Sequence, residues 1–309
     1  MADSQKPKTK DPKLPIIVGP TGVGKSEVAF QLAIRTGAEI VSADAFQVYQ
    51  GLEVGTAQPS KEWQAKVPHH LVGVRDPKET WNAVEFAREA SRILEEKDGT
   101  FLLVGGAGFY IRALVEGAPE GSSPAPEVRR SILQRVQELG NEGAWAWLQE
   151  RDPQAAQRLH SNDLKRICRA LEKTYPVQPV APGYRPLGKD RVLFLGLERS
   201  RDKLDALLRE RTRRMWSGGL LEETQDLLKT GLSQDHPVWG AIGYAEAALF
   251  LRGELGREEA VERTFRRTRQ YAKRQWTWFR HQHEVRWFDL DRYPDTSRVV
   301  DDLVEAITA

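Results

Sequence analysis

Eight residues near the start of the chain, Gly19-Pro20-Thr21-Gly22-Val23-Gly24-Lys25-Ser26, fit the spacing G-x-x-x-x-G-K-[ST]. Glycine at these points lets successive backbone N–H groups converge on phosphate oxygens where a helix begins, and the helix dipole favours the negative charge. Gly19, Thr21, Gly22, Val23, Gly24, Lys25 and Ser26 are the expected anion-binding residues, with Lys25 as a point cation and the Ser26 hydroxyl as a ligand for Mg2+. The motif needs a strand before it and a helix after it. Leu14–Val18 is an apolar, β-rich run, and Val28, Ala29, Leu32 and Ala33 recur at helical spacing behind the loop. The pattern is equally compatible with ATP, GTP or another pyrophosphate.

In an open α/β sheet, ligands collect at the carboxyl ends of the strands. Two further runs are expected there, Ser42-Ala43-Asp44-Ala45-Phe46-Gln47-Val48-Tyr49 and Gly105-Gly106-Ala107-Gly108-Phe109-Tyr110. Asp44 reads as a general base, as a carboxylate near magnesium, or as the cap of the following turn. The glycines read either as close backbone approach to a ligand or as a tight turn into the next helix. His69-His70 does not read as a metal pair, because neighbours on a strand point to opposite faces and no carboxylate or cysteine cluster accompanies them.

The elements that must position these residues alternate. β-rich runs at Leu14–Val18, Ala38–Ser42, His70–Val74, Thr100–Val104, Arg191–Leu197 and Val285–Leu290 are separated by helical stretches. That order predicts an α/β fold, a P-loop-type mostly parallel sheet with helices on both faces. Asn82-x-x-Glu85 is a capping-box start for a helix through Leu94, with Val84, Phe86, Ala90, Ile93 and Leu94 as its apolar face, and Asp152-Pro153 opens another. Between Val104 and Arg191 only helical periodicity occurs, bounded by Pro119–Pro124 and by the Pro- and Gly-rich stretch from Pro176 to Gly188. We expect a core over 14–118, a helical insertion over 119–188, and the core continued over 189–309 with basic C-terminal helices.

At 309 residues, 40% hydrophobic and 29% charged, the composition is that of a globular protein and excludes collagen, coiled-coil rod and bulk disorder. The single cysteine, Cys168, excludes an intramolecular disulfide framework, and no apolar run approaches the length of a bilayer span. A cytoplasmic, monomeric protein with no membrane association is expected. The net charge of +2 conceals a polarised distribution: residues 263–283 hold seven Lys or Arg and no acid, leaving the remainder of the chain at −5. Phe265, Tyr271, Trp276, Trp278 and Phe279 lie in the same segment, and a basic stripe interleaved with aromatic rings suits a sugar-phosphate backbone with exposed bases. A solvated basic helix face with an aromatic core face is the alternative.

Taken together, these runs resemble the tRNA dimethylallyltransferase family. The resemblance is carried by Gly19–Ser26, by Ser42–Gly51 with Gly55-Thr56-Ala57-Gln58-Pro59, and by Pro68-His69-His70-Leu71 and Val104–Tyr110. It continues through His160-Ser161-Asn162-Asp163, Gly219-Leu220-Leu221-Glu222-Glu223, Ala241-Ile242-Gly243-Tyr244 and Tyr271–Arg280, in family order over about residues 14 to 290. It implies transfer of the dimethylallyl group from dimethylallyl pyrophosphate, with Mg2+, to N6 of adenosine 37 beside the anticodon of tRNA. The loop would then hold the pyrophosphate leaving group. Asp44 would take the proton from the attacking amine, and Lys25 and Arg211 would act at the donor phosphates. Asp44, Ala45, Phe46, Gln47, Ala107, Lys165, Arg166, Arg169, Gly243, Tyr244, Lys273, Arg274, Gln275, Trp278 and Arg280 fall on positions that touch the anticodon stem-loop in the family.

The chain departs from the family pattern at Ala45, Gln50, Gln58, Ala107, Gly240 and Ala245, most of which replace a hydroxyl or a cation expected to face RNA. The donor side is intact. Competing readings are an isopentenyltransferase acting on free adenine nucleotides, a P-loop small-molecule kinase, and an RNA-binding protein on an inactive fold.

Overall fold

The computed structural model describes residues 13–117, 126–175 and 183–309; the stretch Pro119–Pro124 and the first part of the Pro-rich run after Pro176 lie outside them. The elements in chain order are β1 (Leu14–Val18), α1 (Lys25–Thr36), β2 (Glu39–Ala43), α2 (Glu53–Thr56), α3 (Lys61–Lys66), β3 (His69–His70), α4 (Ala83–Glu96), β4 (Phe101–Gly105) and α5 (Gly108–Glu116). They continue with α6 (Pro126–Arg151), α7 (Pro153–Ala156), α8 (Leu164–Lys173), β5 (Val192–Glu198), α9 (Arg201–Ser217), α10 (Leu220–Lys229), α11 (Tyr244–Leu251), α12 (Arg257–Gln282), β6 (Val285–Asp289) and α13 (Thr296–Thr308). The chain divides into two compact units, one of 1–118 with 184–309 and one of 119–183.

The first unit is built on a six-stranded sheet of order β3-β2-β4-β1-β5-β6, parallel at every pairing. Alternate residues feed opposite faces. Ile16, Val18, Val41 and Leu103 join one core with Phe86, Ala90 and Ile93 of α4 and Ile111 and Leu114 of α5. Ile17, Ile40, Leu102, Val104 and Leu195 join the other with Val28, Ala29, Leu32 and Ala33 of α1 and Val299, Val300 and Leu303 of α13. A parallel sheet must be covered on both faces, and this one is. Helices α1 and α5 follow the adjacent strands β1 and β4 but pack on opposite faces. The crevice between those two strands is therefore a topological switch point.

The strand expected over residues 70–74 is a correction: β3 is only His69–His70. Leu71 and Gly73 adopt positive φ of 61° and 59°, which turns the chain off the sheet edge. From there the Gly73 and Val74 N–H groups donate to the carbonyls of Gln47 and Val48, bracing the segment after β2. The helix opened by Asp152-Pro153 is likewise a single turn, capped by Asp152 Oδ1 at 2.9 Å from the Ala155 N–H.

In the second unit, α6 kinks at Gly140, whose φ is 65°, and packs Ile132, Val136, Trp147 and Leu148 against Ile167, Cys168 and Leu171 of α8. Cys168 is a core residue whose thiol is pushed up chiefly by burial.

The α4 capping box forms as the sequence predicts: Asn82 Oδ1 accepts the Val84 and Glu85 N–H groups, and Glu85 accepts the Asn82 N–H at 3.0 Å. Asn82→Ala should lower stability by about 1 kcal/mol, read by urea unfolding. An unchanged midpoint would remove the cap from the forces that hold α4.

Candidate active site

The loop after β1 needs glycine for steric reasons that the structure makes explicit. Gly19 has φ of 144°, and a Cβ there would lie 2.4 Å from the Leu197 carbonyl oxygen on β5. Lys25 bends back over the loop, its Nζ donating to the Gly19 and Pro20 carbonyls at 2.9 Å each. Arg211, reaching in from α9, donates through Nη1 to Thr21 Oγ1 at 3.3 Å. Its Nε is buried and has no hydrogen-bond partner among the described residues. Burial pulls the Lys25 ammonium down to about 8, against the attraction of Asp44 and with further help from Arg211. Burial also lowers the Arg211 guanidinium, again opposed by Asp44. Two desolvated cations, one with an orphaned donor, are costly together, and an anion that joined them would offset that cost.

Asp44 follows β2, whose Ala43 pairs with Gly105 of β4. Its Oδ1 accepts the Phe46 N–H at 2.9 Å and the Gln47 N–H at 3.2 Å, so Asp44 does cap its own turn. Oδ2 makes no hydrogen bond to a described residue, and Asp44 lines the same cavity, of about 470 Å³, as Thr21, Lys25 and Arg211. The cap and base readings are therefore compatible: one oxygen fixes the carboxylate and the other is left free. Ile40, Val54, Val72, Trp63 and Met215 supply an apolar wall to this cavity, with Trp63 stacked on Phe30 at 4.5 Å between ring centroids.

The glycines after β4 serve packing. A Cβ at Gly105 would lie 2.1 Å from the Ala43 carbonyl oxygen, and at Gly108 it would lie 2.2 Å from Trp278 Nε1. At Gly106 it would meet Gln275. Gln47 links Asp44's turn to the next segment: it accepts from Ser42 Oγ at 2.9 Å and donates to the Thr56 and Ala57 carbonyls at 3.2 and 3.0 Å. That segment is gripped in turn by Glu223, which accepts the Val54 N–H at 2.6 Å, the Gly55 N–H at 3.1 Å and the Tyr244 hydroxyl at 2.6 Å. Gly55 has no room for a side chain above the Tyr244 ring.

Several residues expected at an RNA surface prove to be interior. Gly243 and Tyr244 are buried, and the Tyr244 phenol is pushed far up by burial and then by Glu223. Ala107 is buried at the head of α5 with no side-chain cap, and Ala45 is half-buried. Phe46 is half-buried, and a Cβ at Gly240 would lie 3.3 Å from its Cζ. Gln275 is buried against the phosphate loop. Trp278 is half-buried over Gly108 and 4.6 Å from the exposed Phe109 ring. Arg280 is tied to Glu198 at 2.5 Å and lies over Trp276, while Arg263, Arg267 and Arg269 pair with Glu259, Glu246 and Asp205. Lys273 and Arg274 are exposed and without an ion-pair partner among the described residues, so the stripe's available charge is smaller than its formal +7. In the second unit Lys165 is exposed, Arg166 lies 3.6 Å from Asp163 and Arg169 lies 2.5 Å from Glu172. Sequence reasoning missed Tyr271, Arg214 and Trp63 as cavity residues and Glu223 as a brace. For Tyr271 a signal existed, one helical turn before Gln275, and for Glu223 only its place in a quoted run.

Among the described residues no three His, Cys, Asp or Glu side chains cluster to hold a metal. A lone serine hydroxyl beside a phosphate cradle is the donor set of a Mg2+ ion held mainly by phosphate oxygens and water, so Ser26 fits that role.

The family model described as IPP transferase matches residues 47–282, and that described as isopentenyl transferase matches 12–69. The chain belongs to the IPP transferase family. Among curated family members, tRNA dimethylallyltransferase 2 of Geotalea uraniireducens is 39% identical over 293 residues, covering 92% of this chain and 93% of the relative. The tRNA dimethylallyltransferase of Geobacter metallireducens is 40% identical over 285 residues, covering 90% and 92%. Among solved family structures, the tRNA isopentenylpyrophosphate transferase of Bacillus halodurans superposes with a TM-score of 0.69 at 32% identity, covering 96% of this chain and 97% of that one. A eukaryotic dimethylallyltransferase acting on tRNA gives 0.74 at 25% identity, covering 96% and 80%.

Because Lys25 loses its proton as pH rises through about 8 in the free protein, affinity for inorganic pyrophosphate should weaken above that pH. Calorimetric titration of the wild type against Lys25→Arg, whose guanidinium stays charged, reads this. The inflection should disappear in the variant, and a flat wild-type profile would contradict the assignment.

Proposed function

We propose that this protein transfers the dimethylallyl group of dimethylallyl pyrophosphate to N6 of adenosine 37, next to the anticodon of tRNA. The observation that carries this reading is that two desolvated cations, Lys25 and Arg211, share one apolar-walled cavity with the Asp44 carboxylate, one of whose oxygens makes no hydrogen bond to a described residue.

Cleavage of the allylic C–O bond leaves positive charge on the five-carbon group and negative charge on pyrophosphate. The N–H groups of the loop Gly19–Ser26 other than that of Thr21, which Gln275 Oε1 already takes, would receive that negative charge together with Lys25 and Arg211, in a loop fixed before the charge forms. Mg2+ held against Ser26 and the pyrophosphate would supply further charge neutralisation at the leaving group. The apolar wall shields the allylic centre from water. Adenine N6 is a poor nucleophile because its lone pair is delocalised, and Asp44 Oδ2 accepts the proton it sheds as the N–C bond forms. A base stacked in an anticodon loop cannot reach a carboxylate in a cavity, so the target is turned out of its stack. The exposed Lys273 and Arg274 hold the surrounding phosphates.

Labelled dimethylallyl pyrophosphate incubated with Mg2+, unmodified tRNA and AMP tests the reading: label should enter RNA, and label in AMP, or ATP hydrolysis without transfer, would refute it. Asp44→Ala should lower kcat by about 10²–10⁴ while the stem-loop Kd stays within about twofold. A lost affinity with normal turnover of bound RNA would remove Asp44 as the base. Replacing both Lys273 and Arg274 by alanine should reduce the slope of log K against log salt by roughly 0.7–0.9 for each RNA phosphate that these cations neutralise. An unchanged slope would return α12 to a solvated face.

A further inference from the structure

Gln275 lies on the same helix as Lys273 and Arg274, yet its side chain takes no part in their exposed face. It is 5% exposed. Its Oε1 accepts the Thr21 N–H at 2.8 Å, and its Nε2 donates to the Gly106 carbonyl at 3.0 Å. Thr21 belongs to the phosphate loop after β1 and Gly106 to the turn after β4, the two strands that flank the switch-point crevice. A Cβ at Gly106 would lie 2.0 Å from Gln275 Nε2, so the bare backbone at that position is what admits the amide. One primary amide satisfies an N–H of the anion cradle and a carbonyl of the opposite lip, from a position 254 and 169 residues away from them in sequence.

We propose that Gln275 is a positioning residue of the pyrophosphate site rather than an RNA contact: it holds the Thr21 N–H and the Gly106 carbonyl at a fixed separation and makes the seat of α12 part of the donor site. The identity of the donor rests on the proposed function above; the anion-binding claim does not. Few other side chains can do this. Methionine fills similar space but can neither accept from Thr21 nor donate to Gly106. Glutamate keeps the acceptor, loses the donor, and brings a negative charge against the anion. A residue that read RNA would behave in the opposite way, since its replacement would weaken RNA and spare pyrophosphate.

The test uses the full chain with inorganic pyrophosphate and Mg2+ in calorimetry, with no RNA present, and separately a fluorescent anticodon stem-loop. Gln275→Met should weaken pyrophosphate about tenfold or more and leave the stem-loop Kd within about twofold. Gln275→Glu should be the weaker variant at about pH 8. It should recover relative to wild type towards about pH 5.5, because burial beside an anion raises a glutamate's pKa and the protonated acid resembles the amide. Taking the ratio to wild type cancels the titrations of Lys25 and of His69, which line the same cavity. The pH profile decides the matter even if Gln275→Met folds poorly. Wild-type pyrophosphate affinity in both variants, an equal and pH-independent loss in both, or a loss confined to the stem-loop would each overturn the proposal. Failure of the wild type to transfer a prenyl group would count against the proposed function and leave this titration unaffected.

Discussion

Lys25 and Arg211 are both taken out of water within the field of one carboxylate, and most of the architecture follows from that imbalance. Neither cation is neutralised by a direct ion pair among the described residues: Lys25 is held by two carbonyls, and Arg211 by one hydroxyl. Their charge is left partly unanswered, with desolvation opposing it. Such a pair persists because the phosphate loop is fixed from outside, by the main chain of β5 beneath Gly19 and by α9 against Gly22. The electrostatic cost of two desolvated cations favours the approach of an anion.

The other half of the site is built quite differently. Among the described residues no buried cation opposes Asp44 by direct contact; its orientation comes from two backbone N–H groups. From that turn a chain of hydrogen bonds runs through Gln47 to Thr56 and Ala57, then from Val54 and Gly55 to Glu223 and Tyr244. Buried polar networks of this sort are rigid when every member is satisfied. The carboxylate is thereby braced by elements some 200 residues away in sequence, from Asp44 to Tyr244.

The parts of this arrangement legible in the sequence were those governed by local rules. The loop, α1 with its inward face, the α4 capping box and five of the six strands were visible because period, cap and turn chemistry are written into contiguous residues. β3 was misjudged because its end depends on Leu71 adopting positive φ, which a leucine does not advertise. The glycines around the end of β4 do turn the chain into α5, and Gly105 and Gly106 also line the cavity; what the sequence does not show is the close approach of Ala43, Gln275 and Trp278 to them. The roles of Glu223, Tyr271 and Gln275 were hidden because each is defined by partners far along the chain. On α12, likewise, sequence reveals seven cations but not which of them already face a carboxylate.

The order β3-β2-β4-β1 inserts one strand between the carboxylate and the phosphate loop. Neighbouring strands are about 4.8 Å apart, so the sheet sets the span between the Asp44 turn and the phosphate loop at roughly two such intervals. A gauge made of main-chain hydrogen bonds is indifferent to drift in the side chains around it. Gln50 and Gly240 are exposed, and Gln58 is half-buried with its Nε2 on the Tyr49 carbonyl. The spacing set by the strands passes through none of them, so these positions can vary while that distance keeps its measure.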